Sequence, residues 1–243
     1  MYENIQLISS GDQVIFVHFG GEINPDINRQ VHDFDKSLHD KNIDGVVDTI
    51  PGYKSLMIQY NPMQIPTKNL ETKLLEIKND SSKQEPRKKR IVNIPVLYQG
   101  EYAPDLEFVA EHNNLKTEEV IQIHSETEYL VYMIGFTPGF PYLGGLSSKL
   151  STPRMSTPRL KIEKGSVGIA ETQTGIYPTT SPGGWRIIGR TPLLLFDTNN
   201  DPPSILSAGN YIRFYPIKNE KDFIKIQKLS EKREYEIDIE IVS

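Results

Sequence analysis

Glycine and proline are concentrated in one window of the chain, residues 135–192, and this window limits what the chain can fold into. It holds 10 of the 17 glycines and 7 of the 17 prolines in about a quarter of the length. Glycine adopts backbone conformations that other residues avoid, and proline fixes φ. The window therefore predicts many sharp turns, either as tight hairpins of a β-rich domain or as a rigid loop surface that holds a ligand or a partner. Both interpretations can hold together.

Charge and composition argue against several classes of function. The chain has 27 Lys and Arg against 32 Asp and Glu, a net charge of −5, so a nucleic acid or an anionic membrane is not expected as the main partner. It has no cysteine, which excludes disulfides and a thiolate nucleophile. No apolar run has signal-peptide character or approaches the ~20 residues of a membrane span. The five histidines lack metal-ligand spacing. We expect a cytoplasmic protein without a bound metal.

A polar segment at residues 79–90 divides the chain. It carries Pro86 and ends in four consecutive basic residues, which is typical of a solvated linker. The predicted domains are residues 1–85 and residues 91–243.

The first part alternates predicted strands and helices. Strands are expected at residues 13–19, 45–50 and 55–60. Asn24 and Pro25 form a helix start, with a capping side chain and proline at the first helical position. Leu70, Leu74 and Ile77 mark a second helix. This pattern predicts a small α+β sandwich.

The second part contains many short predicted strands and few helices. Strands are expected at residues 91–97, 129–134, 166–170, 185–188, 193–196 and 211–215, with an alternating strand over residues 235–241. Helices are expected at residues 104–112, after Thr117, and around Ile226. This pattern predicts a mainly-β domain with a closed or nearly closed barrel.

The glycine- and proline-rich window carries the candidate site residues. Rigid aromatic side chains on such a frame can form pocket walls; these are Phe136, Phe140 and Tyr142, with Pro138 and Gly139 in the same loop. The motif Thr-Pro-Arg occurs twice and presents Arg154 and Arg159 five residues apart. An arginine fork suits a carboxylate or a phosphate. The alternative is a pair of surface salt-bridge arginines.

A run with a single charged residue follows at positions 165–185. Its charge is Glu171, so the run is expected to be buried or to face a ligand. Gln173, Thr174 and Tyr177 can form hydrogen bonds there. Trp185 is either a core anchor or part of the ligand surface, and Arg186 and Arg190 can reinforce an anion site or stack on it.

Three segments of this window resemble one known family. They are GFTPGFPYLGGL, the two TPR motifs, and KGSVGIAETQTGIYPTTSPGGWRIIGRTPLLLFD. They resemble the B subunits of 5-oxoprolinase, a family also called allophanate hydrolase subunit 1 or the KipI-like histidine-kinase inhibitors. The similarity extends over nearly the whole chain.

The resemblance implies a fold and an activity. The implied fold is a small α+β domain followed by a cyclophilin-like β-barrel. The implied activity is that of one subunit, inactive alone, which works with subunits A and C to open 5-oxo-L-proline to L-glutamate in an ATP-dependent reaction. The alternatives are an inhibitor that contacts a sensor histidine kinase, and one half of a urea-carboxylase-type carboxyltransferase.

Candidate roles follow from that chemistry. Arg154 and Arg159, with Arg186 and Arg190, are expected to bind anionic groups. Gln173 and Tyr177 are expected to orient the substrate or a developing oxyanion, and Phe136 and Phe140 to form walls. His124 is a candidate proton carrier, with a helix-end histidine as the alternative. Pocket or subunit-interface positions are Pro138, Gly139, Tyr142 and Trp185. ATP, with Mg²⁺ as its counter-ion, is expected on this chain or on a partner protein of the complex.

Overall fold

The computed structural model describes residues 5–80, 88–135 and 137–242. The chain divides into two compact units, residues 1–87 and 88–243. Whether the predicted domains 1–85 and 91–243 fold independently stays a prediction. None of the helices in the described part has the length and apolar character that crossing a bilayer requires.

The regular elements of the described residues are named here in chain order. The strands are β1 (Gln6–Ser9), β2 (Val14–His18), β3 (Val46–Pro51), β4 (Ser55–Tyr60), β5 (Lys89–Val96), β6 (Glu128–Ile134), β7 (Pro141–Gly144), β8 (Arg159–Ile162), β9 (Ser166–Ala170), β10 (Gln173–Ile176), β11 (Ser181–Gly183), β12 (Arg186–Arg190), β13 (Tyr211–Pro216) and β14 (Ile239–Val242). The helices are α1 (Pro25–Lys41), α2 (Thr67–Asp80), α3 (Leu106–His112), α4 (Thr117–Glu126) and α5 (Glu220–Glu231).

The first unit is an antiparallel sheet with helices α1 and α2. The strand order is β1-β2-β4-β3. The carboxamide oxygen of Asn24 accepts a hydrogen bond from the Ile27 N–H at 2.8 Å, which confirms the predicted helix start. Apolar residues of both helices and of the sheet share one buried core, including Leu70, Leu74 and Ile77. Strand β1 was not predicted, because its four residues are mostly exposed and lack an apolar pattern.

The second unit is built on one curled sheet of eight strands. Their order is β12-β9-β10-β7-β6-β13-β5-β14, and every pairing is antiparallel except β13 with β5. Two backbone hydrogen bonds, of 2.9 and 3.1 Å, join Leu97 to Arg190. Edge strand β12 thus reaches the residue that follows β5, on the far side of the sheet. Strands β8 and β11 form a separate two-stranded ribbon.

One predicted strand, residues 193–196, is wrong. Only Phe196 forms a β-bridge there, to Ser204. The backbone N–H of Leu194 donates instead to the Ser230 hydroxyl at 2.9 Å, and Leu193 and Leu195 are buried in the core. The apolar run therefore reports burial rather than strand pairing. The strand predicted over residues 235–241 is shorter than expected, since only β14 is regular.

Two glycines of the window leave room for aromatic side chains. A Cβ atom on Gly175 would lie 2.9 Å from Cζ3 of Trp185, and one on Gly183 would lie 2.4 Å from the hydroxyl oxygen of Tyr177. Real Cβ atoms essentially never approach this closely. These positions require glycine because of space, since neither has a left-handed backbone conformation.

His124 lies in the core of the second unit and its ring is held by hydroxyl groups. Nε2 lies 2.9 Å from the Thr174 hydroxyl, which itself donates to the Gly168 carbonyl at 3.1 Å. The ring therefore carries its proton on Nε2 and donates it to Thr174. Nδ1 accepts from the Tyr98 hydroxyl at 2.8 Å. Burial lowers the pKa of His124 to about 3, so the neutral ring acts as a strut between α4 and β10.

We expect Gly175→Ala to lower the free energy of unfolding by about 1–3 kcal/mol, since overpacking a well-packed core costs that much. Gly135→Ala, in the same unit as Trp185, is the matched control, because a Cβ there meets nothing within 4 Å. Urea unfolding followed by the fluorescence of Trp185, the only tryptophan, measures both. Equal stability of the two variants would contradict the packing role of Gly175.

The buried His124 makes stability depend on pH. The unfolded histidine has a pKa near 6.5 and the folded one about 3, so the unfolded state binds more protons as the pH falls between these values. Stability is fully present above pH 6.5 and is lost toward acid, by about 2 kcal/mol from pH 7 to pH 5 for this one group. His124→Gln should remove that part of the slope. If the variant keeps the wild-type slope over this range, His124 is not the group responsible.

Candidate functional site

Four aromatic side chains of the window form a compact group that we call the aromatic cluster: Phe140, Tyr142, Tyr177 and Trp185. The ring centroid of Phe140 lies 5.1, 5.6 and 5.8 Å from those of Tyr142, Tyr177 and Trp185. The contacts with Tyr177 and Trp185 are edge-to-face, a favoured geometry. All but the half-buried Tyr142 are buried. The cluster is therefore rigid, with one ring partly open to solvent.

Arg154 is the exposed cation at this cluster. Its guanidinium carbon lies 5.9 Å from the ring centroid of Trp185, within the range of a cation–π contact. Burial raises the pKa of the Tyr142 and Tyr177 hydroxyls, and the charge of Arg154 opposes that shift in both. Both phenols thus stay protonated at neutral pH. The Trp185 backbone N–H also opposes the rise in the pKa of Tyr177, and the neutral phenol can donate its own proton.

Arg159 forms an internal ion pair with Asp105, a residue that the sequence analysis missed. The two terminal guanidinium nitrogens donate to the two carboxylate oxygens at 2.8 Å each. Asp105 is 5% exposed, and one of its oxygens also accepts the Ile187 N–H at 2.6 Å. This pairing raises the pKa of Arg159. The fork of Arg159 is therefore engaged within the protein and fixes β8 against α3 and β12.

Asp105 could not be identified by local sequence rules. It precedes α3 and resembles a helix N-cap, yet its side chain makes no capping hydrogen bond. Its partners lie 54 and 82 residues further along the chain. Only the folded second unit brings them together.

Arg186 also lies near the Asp105 carboxylate. One terminal nitrogen is 3.9 Å from Asp105, and the guanidinium carbon lies 3.7 Å from the ring centroid of Phe108. Its Nε donates to the Pro153 carbonyl at 3.4 Å. Arg186 thus joins the Arg154-containing loop to β12.

Arg190 lies apart from the aromatic cluster. It stands four residues beyond Arg186, about 13 Å along β12. Its Nε donates to the Lys164 carbonyl at 2.9 Å, and its guanidinium carbon lies 6.0 Å from the Tyr102 ring. The contacts of His124 are likewise with core residues of the second unit, such as Tyr98 and Phe214, and not with the aromatic cluster.

The remaining predicted positions differ in exposure. Gln173 is half-buried and pairs with Ala170, which packs into the aromatic cluster. Pro138 is exposed, whereas Gly139 is buried, with a left-handed φ of 82° and the Phe196 side chain against it. Phe136 lies outside the described residues. Among residues 5–80, 88–135 and 137–242, no group of three His, Asp or Glu side chains is placed to hold a metal ion.

Comparisons with known proteins place this geometry in a family. The family described as carboxyltransferase domain, subdomain C and D, matches residues 5–206. The 5-oxoprolinase B subunit of Bacillus subtilis (strain 168) is 43% identical over 232 residues, which cover 90% of this chain and 95% of that protein.

Solved structures share the fold. The TTHA0988 crystal structure is 32% identical, with a TM-score of 0.75 over 85% of this chain and 40% of that chain. The urea carboxylase of Kluyveromyces lactis is 20% identical, with a TM-score of 0.80 over 98% of this chain and 24% of that chain; this likeness concerns the fold alone. From the family match and the 43% identity across most of both proteins, the chain belongs to the carboxyltransferase subdomain C and D family and, within it, to the group of 5-oxoprolinase B subunits.

Proposed function

We propose that this chain is the B subunit of an ATP-dependent 5-oxoprolinase that, with subunits A and C, opens 5-oxo-L-proline to L-glutamate. The observation that carries the proposal is the 43% identity to the B subunit of Bacillus subtilis, across 95% of that protein. The similarity to urea carboxylase is lower in sequence, so it favours the shared fold over a shared reaction.

The proposed reaction explains why an anion contact and neutral donors would be needed together. A lactam carbonyl is a weak electrophile because of amide resonance. Transfer of a phosphoryl group from ATP to its oxygen would let water add to the carbon. The C–N bond would then break, with a proton going to the nitrogen, to leave an acyl phosphate that a second water hydrolyses to glutamate and phosphate. The site must hold the substrate carboxylate and stabilise charge on the reacting oxygen.

Our role assignment follows the positions of the side chains. Arg154 would bind the carboxylate of 5-oxoproline, because its fork is presented at the surface whereas that of Arg159 is engaged by Asp105. Tyr177 and Gln173 would orient the amide, and Phe140 would form the wall. Arg159 and Arg186 would support this arrangement through Asp105. His124 has no proton-transfer role in this proposal, since both its ring nitrogens are engaged in the core.

The C subunit is proposed to face the glycine- and proline-rich window and to complete the site. We assign ATP and its Mg²⁺ to a partner protein of the complex, because the sequence contains no phosphate-binding loop. An ATP-consuming complex of this kind fits the cytoplasm. We further propose that residues 91–243 form a cyclophilin-like barrel, an idea supported by the hydrogen bonds between Leu97 and Arg190.

The direct test is 5-oxoproline-dependent release of ADP, measured with this chain and its cognate subunits A and C, and with each omitted in turn. Turnover that requires all three and yields glutamate is expected. A complete mixture without oxoproline-dependent turnover would refute the proposal. Inhibition of a sensor histidine kinase, or a carboxyltransferase assay with carboxybiotin, would then be the next measurement.

Arg154→Ala is expected to lower kcat/KM of the assembled enzyme about 30-fold or more, since truncating an arginine on a desolvated carboxylate costs about 2–5 kcal/mol. Arg190→Ala is the matched control, because Arg190 lies at the far end of β12, and it should stay within a few-fold of wild type. Equal effects of the two variants would contradict the assignment of Arg154.

A further inference from the structure

Leu160 is an apolar side chain left almost entirely in solvent. It exposes 92% of its surface in the middle of β8. A single exposed leucine is ordinary on a protein surface. The chain around Leu160, however, is held rigidly and carries an excess of positive charge.

The ribbon of β8 and β11 presents Leu160 in a fixed position. Arg159, the preceding residue, is tied to the buried Asp105 by two hydrogen bonds. Ile162 is buried beside the aromatic cluster, and strand alternation places Leu160 on the same face as Ile162. A protein that covered Leu160 would therefore border the aromatic cluster as well.

Exposed prolines surround this ribbon. Pro153 and Pro158 flank Arg154, and Pro182 lies on β11. The ring of Pro158 would meet a Cβ on Gly184 at 3.7 Å, so this loop packs against the turn before Trp185. Proline rings present apolar surface at low entropic cost, because their φ is already fixed.

The same stretch is strongly basic in an acidic chain. Residues 149–164 contain five cations, namely Lys149, Arg154, Arg159, Lys161 and Lys164, and one anion, Glu163, whereas the whole chain has a net charge of −5. Arg159 is neutralised by Asp105 and Lys161 pairs with Glu163 at 2.5 Å. Lys149, Arg154 and Lys164 are exposed, so this stretch of the chain carries net positive charge. A complementary surface has carboxylates around an apolar recess.

We propose that Leu160 is the central anchor of an interface with the C subunit, which receives it in an apolar recess edged by carboxylates. This inference rests on the proposed function, because that proposal supplies the partner. It is also in keeping with the longer TTHA0988 chain, of which this fold makes up 40%. There, further protein is joined covalently to the same fold.

The test compares two equally exposed side chains. Leu160 and Met63 each expose 92% of their surface, so neither Leu160→Ala nor Met63→Ala should alter folding. Calorimetric titration of this chain with the C subunit should give a dissociation constant about 10- to 100-fold higher for Leu160→Ala, as expected for an anchor that is fully buried in the complex. Met63→Ala should bind like wild type. Equal binding by both variants, or no binding of the wild type to the C subunit, would overturn the proposal.

Charge variants at Leu160 test the charge of the partner surface. Leu160→Glu should weaken binding more than Leu160→Lys, because the recess is edged by carboxylates. The reverse order would overturn the acidic character of the partner surface.

A measurement of turnover distinguishes a failure of this interface from a failure of the proposed function. An excess of the C subunit should restore the oxoprolinase activity of Leu160→Ala, whereas it should leave Arg154→Ala impaired. Oxoproline turnover with unchanged binding by Leu160→Ala would refute the interface and leave the function standing. Tight binding that depends on Leu160, without any oxoproline turnover, would refute the proposed function and leave the interface standing.

Discussion

The carboxylate of Asp105 is the interaction on which the geometry of the site depends. It joins the start of α3, strand β8 through Arg159 and strand β12 through the Ile187 N–H. A buried carboxylate needs such partners, since an unpaired charge in the protein interior is costly. Because Arg159 satisfies Asp105, Arg154 is left to face solvent over Trp185. One buried ion pair thus separates a structural arginine from one that can bind a ligand.

The glycine- and proline-rich window has a packing explanation as well as a conformational one. Gly175 and Gly183 have no left-handed φ, yet a side chain at either would collide with Trp185 or Tyr177. The rings fill the space above these glycines and hold one another edge-to-face. Rigidity of this kind would suit the contacts with substrate and with a partner protein that we propose for this surface.

Local patterns in the sequence predicted the local structure well. Asn24 and Pro25 begin α1 as expected, and the 3.6-residue period of Leu70, Leu74 and Ile77 reports a true buried face. The run at residues 193–196 was misread, because apolar residues enter a core in irregular loops as well as in strands. Asp105 was missed and Arg159 was read as a ligand contact, since their pairing joins segments 54 residues apart. Sequence alone names the charged residues of a site, and only the fold says which of them neutralise one another.

The most direct test of this account is a double-mutant cycle between Asp105→Asn and Arg159→Gln, with unfolding free energies read from Trp185 fluorescence. Each single variant leaves one buried partner unmatched, whereas the double variant leaves two neutral amides. We predict a coupling energy of about 2 kcal/mol, within the range for residues in direct contact. Additive single effects, with coupling below about 0.5 kcal/mol, would contradict the claim that this pair holds the site together.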